Sequence, residues 1–291
     1  MKAAILPDRG VVKVAGDEAR NFLNGLLTTD VTQVTPQVAR FAALLTPQGK
    51  IIADCIVADG ADALLLDCPL ELAPALADRL KFYKLRAKIT IDNLSQQLAV
   101  VAIWDGSGSI DRGVVYPDPR LTGLGRRVIL EAASAPQAVA DSGAQLVDAS
   151  AYEAHRIALG VPRGGPDFIY GDAFPHEADM DQLHGIDFDK GCYVGQEVVS
   201  RIEHRGTARN RVVPVTADGA APAAGVPVMA GEKHVGLTGS SIGSQGLALL
   251  RLDRVADANA AGLPLTAGGI TLHPRKPDWA QFAFPDNKAA E

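Results

Sequence analysis

Cysteine is scarce in this chain, with three among 291 residues, and the scarcity closes several routes. Three thiols cannot form the disulfide framework that small secreted domains depend on. They are also too few, at unhelpful spacing, to hold a four-iron cluster within one chain. They read as free thiols of a reducing compartment. Long apolar runs are missing too. No segment approaches the roughly 18 unbroken apolar residues of a membrane helix. The N-terminal stretch "MKAAILPDRGVVKV" is interrupted by Pro7 and Asp8 before it could form the core of a signal peptide. The expected location is therefore cytoplasmic. Positive charge is not in surplus: the formal net charge is −6. That argues against sequence-independent nucleic-acid binding, which needs broad phosphate neutralisation, and leaves room for a local basic patch. No Walker A loop, no G-x-G-x-x-G and no G-x-S-x-G is present, which weighs against nucleotide-binding and serine-hydrolase readings.

What is present is an ordinary soluble composition, 47% hydrophobic and 21% charged, over a length that suits two domains or three small ones. "VVKV" (11–14) predicts a strand, and "GDEARNFLNGLLTTD" (16–30) a helix that places Phe22, Leu23, Leu26 and Leu27 on one face. "FAALL" (41–45) and "KIIADCIVA" (50–58) predict two strands joined by the turn "TPQG". A further strand over "DALLLD", a helix over about 70–84, and strands over 87–91 and 98–104 complete an α+β sheet domain. The region 105–130 reads as loop, and a short helix follows in "SAPQAVADSG". "SAYEAHRIALG" (150–160) predicts a helix with Ser150 as cap and Gly160 as stop. Residues 161–193 read as a long irregular polar segment, a feature that is commonly functional. From about 211 onward, short strands between glycine turns predict a small β-barrel or sandwich.

Four stretches carry residues with chemical potential. In "FDKGCYVGQEVVSR" (188–201), Cys192 sits between Gly191 and Gly195, with Lys190 two residues away. A nearby cation raises the thiolate fraction of a cysteine, and flanking glycines let the backbone expose the sulfur. Gln196 and Glu197 supply hydrogen-bonding groups. The sequence alone divides evenly between this reading and a glycine turn holding a packing cysteine. Asp54 interrupts the apolar strand "IIADCIV"; it is either an edge residue facing water or a carboxylate aimed at a ligand. "PHEADMDQLH" (175–184) resembles a metal motif, but H-E-x-x-H requires histidine where Met180 stands, so no metal site is expected. Glu177 is better suited to accept hydrogen bonds from a ligand. "RIEHRGTARNR" (201–211) holds four arginines in eleven residues and reads either as a solvated charged strand or as a site for anionic groups.

"KGCYVGQEVVSR" closely resembles the K-G-C-Y-x-G-Q-E-x-x-x-R motif of the YgfZ family, folate-binding proteins related to the aminomethyltransferase (T-protein) of the glycine cleavage system. "FLNGLLTTDV" (22–31), "LTPQGKIIADCIV", "KLRAKITI", "RIALGVP" and "FPHEADMDQLHGIDFDKGCY" fall in the family's order, so the resemblance covers roughly residues 10–255. It implies an α+β, aminomethyltransferase-like, three-part fold around a central folate cavity. The implied parts are a discontinuous N-terminal domain (1–48 and 145–208), a ferredoxin-like insert (49–144) and a C-terminal β-barrel (209–291). It implies tetrahydrofolate, or a one-carbon derivative, as cofactor. Cys192, Lys190 and Asp54 would then carry chemistry, Asp54 standing at the position of the T-protein's catalytic aspartate. Asp30, Asp54, Arg156, Glu177, Tyr193, Gln196, Glu197 and Arg201 would form the binding site.

The function implied is tetrahydrofolate-dependent assembly or repair of [4Fe–4S] clusters in client enzymes such as tRNA methylthiotransferases. The implied partners are A-type iron–sulfur carriers, with neither membrane nor nucleic acid among them. Two departures bear on this. The T-protein lacks the K-G-C-Y-x-G-Q-E motif, so aminomethyl transfer does not simply carry over, and Leu26 replaces the family's usual glutamine. The alternatives are a folate-dependent one-carbon transferase and, third, a module binding tRNA or an acidic partner through 201–211.

Overall fold

The structure is a computed structural model, and it describes residues 1–108, 110–206 and 208–285. The chain divides into two compact units, one formed by 1–152 with 183–196 and the other by 153–182 with 197–291.

The first unit contains β1 (Lys2–Ile5), β2 (Arg9–Ala15), α1 (Ala19–Asn24), β3 (Arg40–Leu45), β4 (Ile51–Asp59), β5 (Ala63–Pro69), α2 (Ala73–Lys84), β6 (Thr90–Asn93), β7 (Leu98–Trp104), β8 (Val114–Pro117), β9 (Arg126–Glu131), α3 (Ala135–Asp141) and β10 (Gln145–Leu146). Two five-stranded sheets result, ordered β3-β4-β5-β2-β6 and β10-β1-β7-β9-β8. Strand alternation explains the layering, because successive side chains point to opposite faces. Ala53, Cys55 and Val57 of β4 and Leu64, Leu66 and Cys68 of β5 join Leu76, Ala77 and Leu80 of α2 in one core. Val101, Ile103, Val128 and Leu130 of the second sheet pack with Ala135, Ala138 and Val139 of α3 in another. The intervening faces carry charge: Asp67 on β5 bonds Arg127 on β9 and Tyr116 on β8.

The expected division at 48/49 runs through the first sheet, since β2 pairs with β5 and β6, and β3 with β4. The helix expected over 16–30 is shorter and stops at Asn24. Gly25 is a poor helix former, and the Asn24 side chain leaves the helix pattern to accept the Val31 N–H at 3.1 Å. Leu26 and Leu27 are buried nonetheless, Leu27 by bridging to Leu44. The region 105–130, expected as loop, contains β8 and β9. Buried arginine on β9 disguised a strand as a polar connection.

The helix α4 (Ala149–Ala158) leads into the second unit. Its start is capped by Asp148, whose carboxylate accepts the Ser150 N–H at 2.8 Å, two residues before the expected cap. Gly160 ends it at φ +74°, where a Cβ would come within 2.7 Å of the Pro214 ring. The segment 161–195 contains no helix or strand. It is followed by α5 (Gln196–Arg205), so the arginine-rich stretch begins as a helix rather than the expected strand. Then come β11 (Asn210–Ala217), β12 (Pro227–Ala230), β13 (Lys233–Ile242), β14 (Gln245–Arg251), α6 (Leu252–Ala260), β15 (Leu265–Ala267) and β16 (Ile270–Pro274). The six strands close into a barrel, β11-β14-β13-β12-β15-β16, with β16 returning to β11. Closure leaves no unpaired edge. Val213, Val215, Val228, Ala248, Leu250 and Leu272 fill it.

Candidate functional site

The loop carrying the cysteine motif belongs to the first unit and is fastened at four points. Lys190 is half-buried and its Nζ donates to three backbone carbonyls, those of Asn24 (2.6 Å), Leu27 (2.7 Å) and Thr29 (2.8 Å). An ammonium has three donors, and all three are used. Burial lowers Lys190 to about 8 against the upward pull of Asp30 and Asp187. Thr28, fully buried, donates its hydroxyl to the Gly185 carbonyl and accepts from the Ala43 N–H, and its own carbonyl accepts from Asp187 N–H. Asp187 in turn accepts the N–H groups of Asp189 and Lys190. Gly195 sits at φ +85°, with the Thr46 carbonyl 2.6 Å from where a Cβ would lie, so only glycine fits against the β3–β4 turn.

Within this frame Tyr193 is buried, with its hydroxyl pKa raised by burial and Asp187, and its ring lies 5.2 Å from the Lys190 ammonium. Val194 packs on the core. Cys192 is left exposed. Cys55 and Cys68 are buried, and burial pushes both thiols up, Cys68 to about 12. Of the three sulfurs, one is therefore available to solvent chemistry. The cation expected to activate it is spent on carbonyls, so Lys190 fixes the loop on which the thiol stands.

Asp30 caps the helical turn Val31–Gln33, accepting from Thr32 N–H (2.9 Å) and Gln33 Nε2 (2.9 Å). The Thr32 hydroxyl and these bonds hold its carboxyl below the usual range. Asp54 is 7% exposed and points away from the face of β4 that enters the helix-covered core. Its charge supports the protonated state of Arg9, after the larger effects of burial, Asp67 and Arg127. Asp54, Asp30, Lys190, Cys192, Tyr193 and Gln196 all fall in the first unit, while Arg156, Glu177, Glu197 and Arg201 fall in the second. Glu197 and Arg201 are exposed on α5.

Glu177 is half-buried and borders two cavities, of about 280 and 290 Å³. One carboxylate oxygen accepts from Asn210 Nδ2 (2.6 Å), the other from the Phe174 N–H (2.8 Å). A carboxylate offers about four acceptor positions, so two remain for N–H donors of a ligand. Arg156 requires a correction. It is 2% exposed, and its five N–H donors go to Glu153 (twice), Asp167, Ser240 and the Val161 carbonyl. It is a structural hub of the second unit with no donor left for a ligand.

The sequence reading missed one charged grouping and, in a second, weighed "PHEADMDQLH" without Glu203 or Arg211. In the first unit, Asp67 is gripped by Arg9 (2.6 Å) and Arg127 (2.6 Å), and Asp118 by Arg120 (2.7 Å) and Arg127 (3.0 Å), all nearly or fully buried. Asp67 breaks "ALLLDCP" as Asp54 breaks "IIADCIV", which was the available signal. In the second unit, His176, Asp181 and Glu203 bring ligand-type atoms within 4.8 Å of one another. Arg211 holds both oxygens of Asp181 at 2.6 and 2.9 Å, so the grouping is organised as an ion-pair cluster.

Comparison with known proteins places this geometry. Residues 209–282, the barrel, match the model of the CAF17 C-terminal beta-barrel domain. The whole chain shares its fold with aminomethyltransferase T of the glycine cleavage system from Bartonella henselae. The TM-score is 0.74 at 16% identity, covering 98% of this chain and 88% of that one. The iron–sulfur cluster assembly factor IBA57 of Mus musculus is 31% identical over 86% of this chain and 77% of its own length. The IBA57 homolog of Mycosarcoma maydis is 36% identical over 74% of this chain, which spans 57% of that relative's length. For the Neurospora crassa relative the chain spans 54%. All of these relatives are named as mitochondrial. That overturns the cytoplasmic expectation and points to mitochondria, since free thiols specify a reducing compartment without saying which. At the identity and coverage of the mammalian match, the chain belongs to the IBA57 family of iron–sulfur cluster assembly factors.

Proposed function

We propose that this chain is a tetrahydrofolate-binding accessory factor for the assembly or repair of [4Fe–4S] clusters in client enzymes, of the YgfZ type within its family. Names of the IBA57 relatives support the iron–sulfur part, and the T-protein fold supports the folate part. The observation that carries the reading is the exposed Cys192 on a loop clamped by Lys190, Thr28 and Gly195. A rigid loop that leaves one thiol bare suits a transient bond to a cluster, or to a carrier of the A type that brings one. Preorganisation lowers the cost of such an encounter.

Glu177 is the residue suited to the pterin. Its two remaining acceptor positions are left for a ligand's N–H groups, and the half-buried setting would strengthen such bonds. The folate would supply a one-carbon unit or a reduced ring. What this chain's residues do is accept those hydrogen bonds, place the Asp54 carboxyl at a buried strand position, and present Cys192 to the partner. No helix among the described residues is long and apolar enough to cross a membrane, and nothing in this reading needs one.

The folate part is tested by thermal stabilisation. Folinate at about 100 times its Kd should add about 2.7 kcal/mol, and Glu177→Gln should reduce that gain. No shift at saturating folinate sinks the folate assignment. The thiol part is tested by assaying a four-iron enzyme in cells lacking the native protein. Cys192→Ala should fail to restore activity where wild type succeeds, and full rescue would remove the sulfur from the mechanism.

A further inference from the structure

The C-terminal end of α2 and the turn after it read Lys81-Phe82-Tyr83-Lys84-Leu85-Arg86-Ala87-Lys88. Upstream, the helix buries Leu76, Ala77 and Leu80 in the core, and Tyr83 continues that contact. The other side is unusual in three ways. Phe82 is 73% exposed and Leu85 89%, the two most exposed large apolar side chains among the described residues. Four cations and no acid occupy these eight residues, in a chain whose net charge is −6. Among the described residues they take part in one ion pair, the Lys81–Asp78 contact at 3.7 Å, too exposed to matter much. Finally, Leu85 has φ +46° and ψ −105°, a backbone state that glycine adopts freely and a leucine adopts under strain.

Strain and exposure fall on the same residue. Helices commonly end in glycine where φ turns positive, and glycine here would remove both the strain and the apolar surface. Leucine here carries backbone strain while its side chain stays in solvent, a combination that points to a contact outside the chain. The surrounding charge says what kind of contact. Cations ringing an apolar tip complement a surface with an apolar depression and an acidic rim, the arrangement that fixes register and speeds encounter. Nucleic acid fits less well. Its bases reward stacking on aromatic faces or guanidinium, whereas the most exposed side chain here is aliphatic, and the rest of the chain repels a polyanion.

We propose that Lys81–Lys88 is a docking surface for an acidic protein partner, with Phe82 and Leu85 entering an apolar depression and Lys84, Arg86 and Lys88 pairing with carboxylates around it. The surface stands apart from the folate and thiol assignments, and its test does not depend on them.

The test uses the full chain and a fluorescent helix-forming peptide rich in glutamate with leucine and phenylalanine on one face. Its comparison probes are the same peptide with serine at the apolar positions, a single-stranded RNA, and phosphatidylglycerol vesicles. The acidic–apolar peptide should bind saturably. Binding should weaken about tenfold or more with Phe82→Ser plus Leu85→Gly, with Lys84→Glu plus Arg86→Glu, and on raising salt. The serine peptide should bind more weakly. Leu85→Gly alone should keep or raise the melting temperature while weakening binding, a combination that a merely structural leucine would not give.

Absence of saturable peptide binding, or binding indifferent to both double variants, overturns the proposal. So does tighter binding of RNA or vesicles through these residues, or a dimer of the chain that Leu85→Gly abolishes. A clear fall in melting temperature for Leu85→Gly removes the argument at its root.

Discussion

Two buried clusters of arginine and aspartate, one in each unit, solve the same problem with opposite results. In the first unit three guanidinium groups, of Arg9, Arg120 and Arg127, serve two carboxylates, Asp67 and Asp118. Burial alone would push both carboxyls up, but the arginines outweigh it and hold Asp67 and Asp118 below the usual range. In the second unit one guanidinium, Arg211, serves Asp179 and Asp181, with Glu203 close by on His176. Asp179 is fully buried, its Oδ2 has no hydrogen-bond partner, and its pKa is pushed well up by burial and by Asp181 against the opposing Arg211. The difference lies in stoichiometry. Where cations match or exceed carboxylates, burial yields ionised, geometrically fixed pairs; where they fall short, one carboxyl is driven toward its protonated form.

The largest effect should come from breaking the balanced cluster. Arg127→Met removes the side chain that ties Asp67 to Asp118 and leaves both carboxylates buried with reduced compensation. Loss of one member of such a pair costs about 3–5 kcal/mol, so urea unfolding should show the midpoint falling by that equivalent. A loss below about 1 kcal/mol would mean that the intersheet charges are not held as described.

Much of this chain's local structure could be read from its sequence, and the reason is visible in particular residues. The β3–β4 hairpin follows from apolar runs around "TPQG", and the closed barrel from short strands between glycine turns. The sequence divided evenly on whether Cys192 is bare or packed, and the structure leaves it exposed. Pairings at long range were not legible. Arg127 meets Asp67 across 60 residues, and Lys190 reaches carbonyls more than 160 residues upstream. Neither has a signature in spacing. Lys190 beside Cys192 in sequence suggested activation of the thiol. Its side chain instead turns to carbonyls that no sequence pattern marks as acceptors. Arg156 misled for the same reason, because its five hydrogen bonds go to four residues spread from Glu153 to Ser240.

A smaller effect of opposite sign sharpens the comparison. Asp179→Asn keeps the shape and the acceptor that meets Arg211, tolerates the positive φ of +55° at this position, and removes the surplus acid. At neutral pH it should stabilise the protein, by on the order of 1 kcal/mol, whereas the same change at Asp67 should destabilise. Thermal melts of the two variants side by side check this, and a shift of the same sign in both would erase the distinction between the clusters.

The smallest effect is a slope. His176 is 1% exposed, and burial lowers its pKa against the upward pull of Asp181 and Glu203, with Arg211 adding to the lowering. The unfolded chain therefore binds a proton near pH 6.5 that the folded chain still refuses. As pH falls through that value the unfolded state holds more protons, so stability from this group is present above about 6.5 and declines below it. Asp179 acts in the other sense: its raised folded pKa makes the native state bind the extra proton above about pH 4, so its contribution favours folding at lower pH. The two slopes overlap and partly cancel in the wild type. Measured in the Asp179→Asn background, the fall in melting temperature between about pH 7 and 5 should steepen, and adding His176→Gln should flatten it. If His176→Gln leaves that slope unchanged, the imidazole is not held neutral by burial, and the acidic surplus of this cluster resides elsewhere.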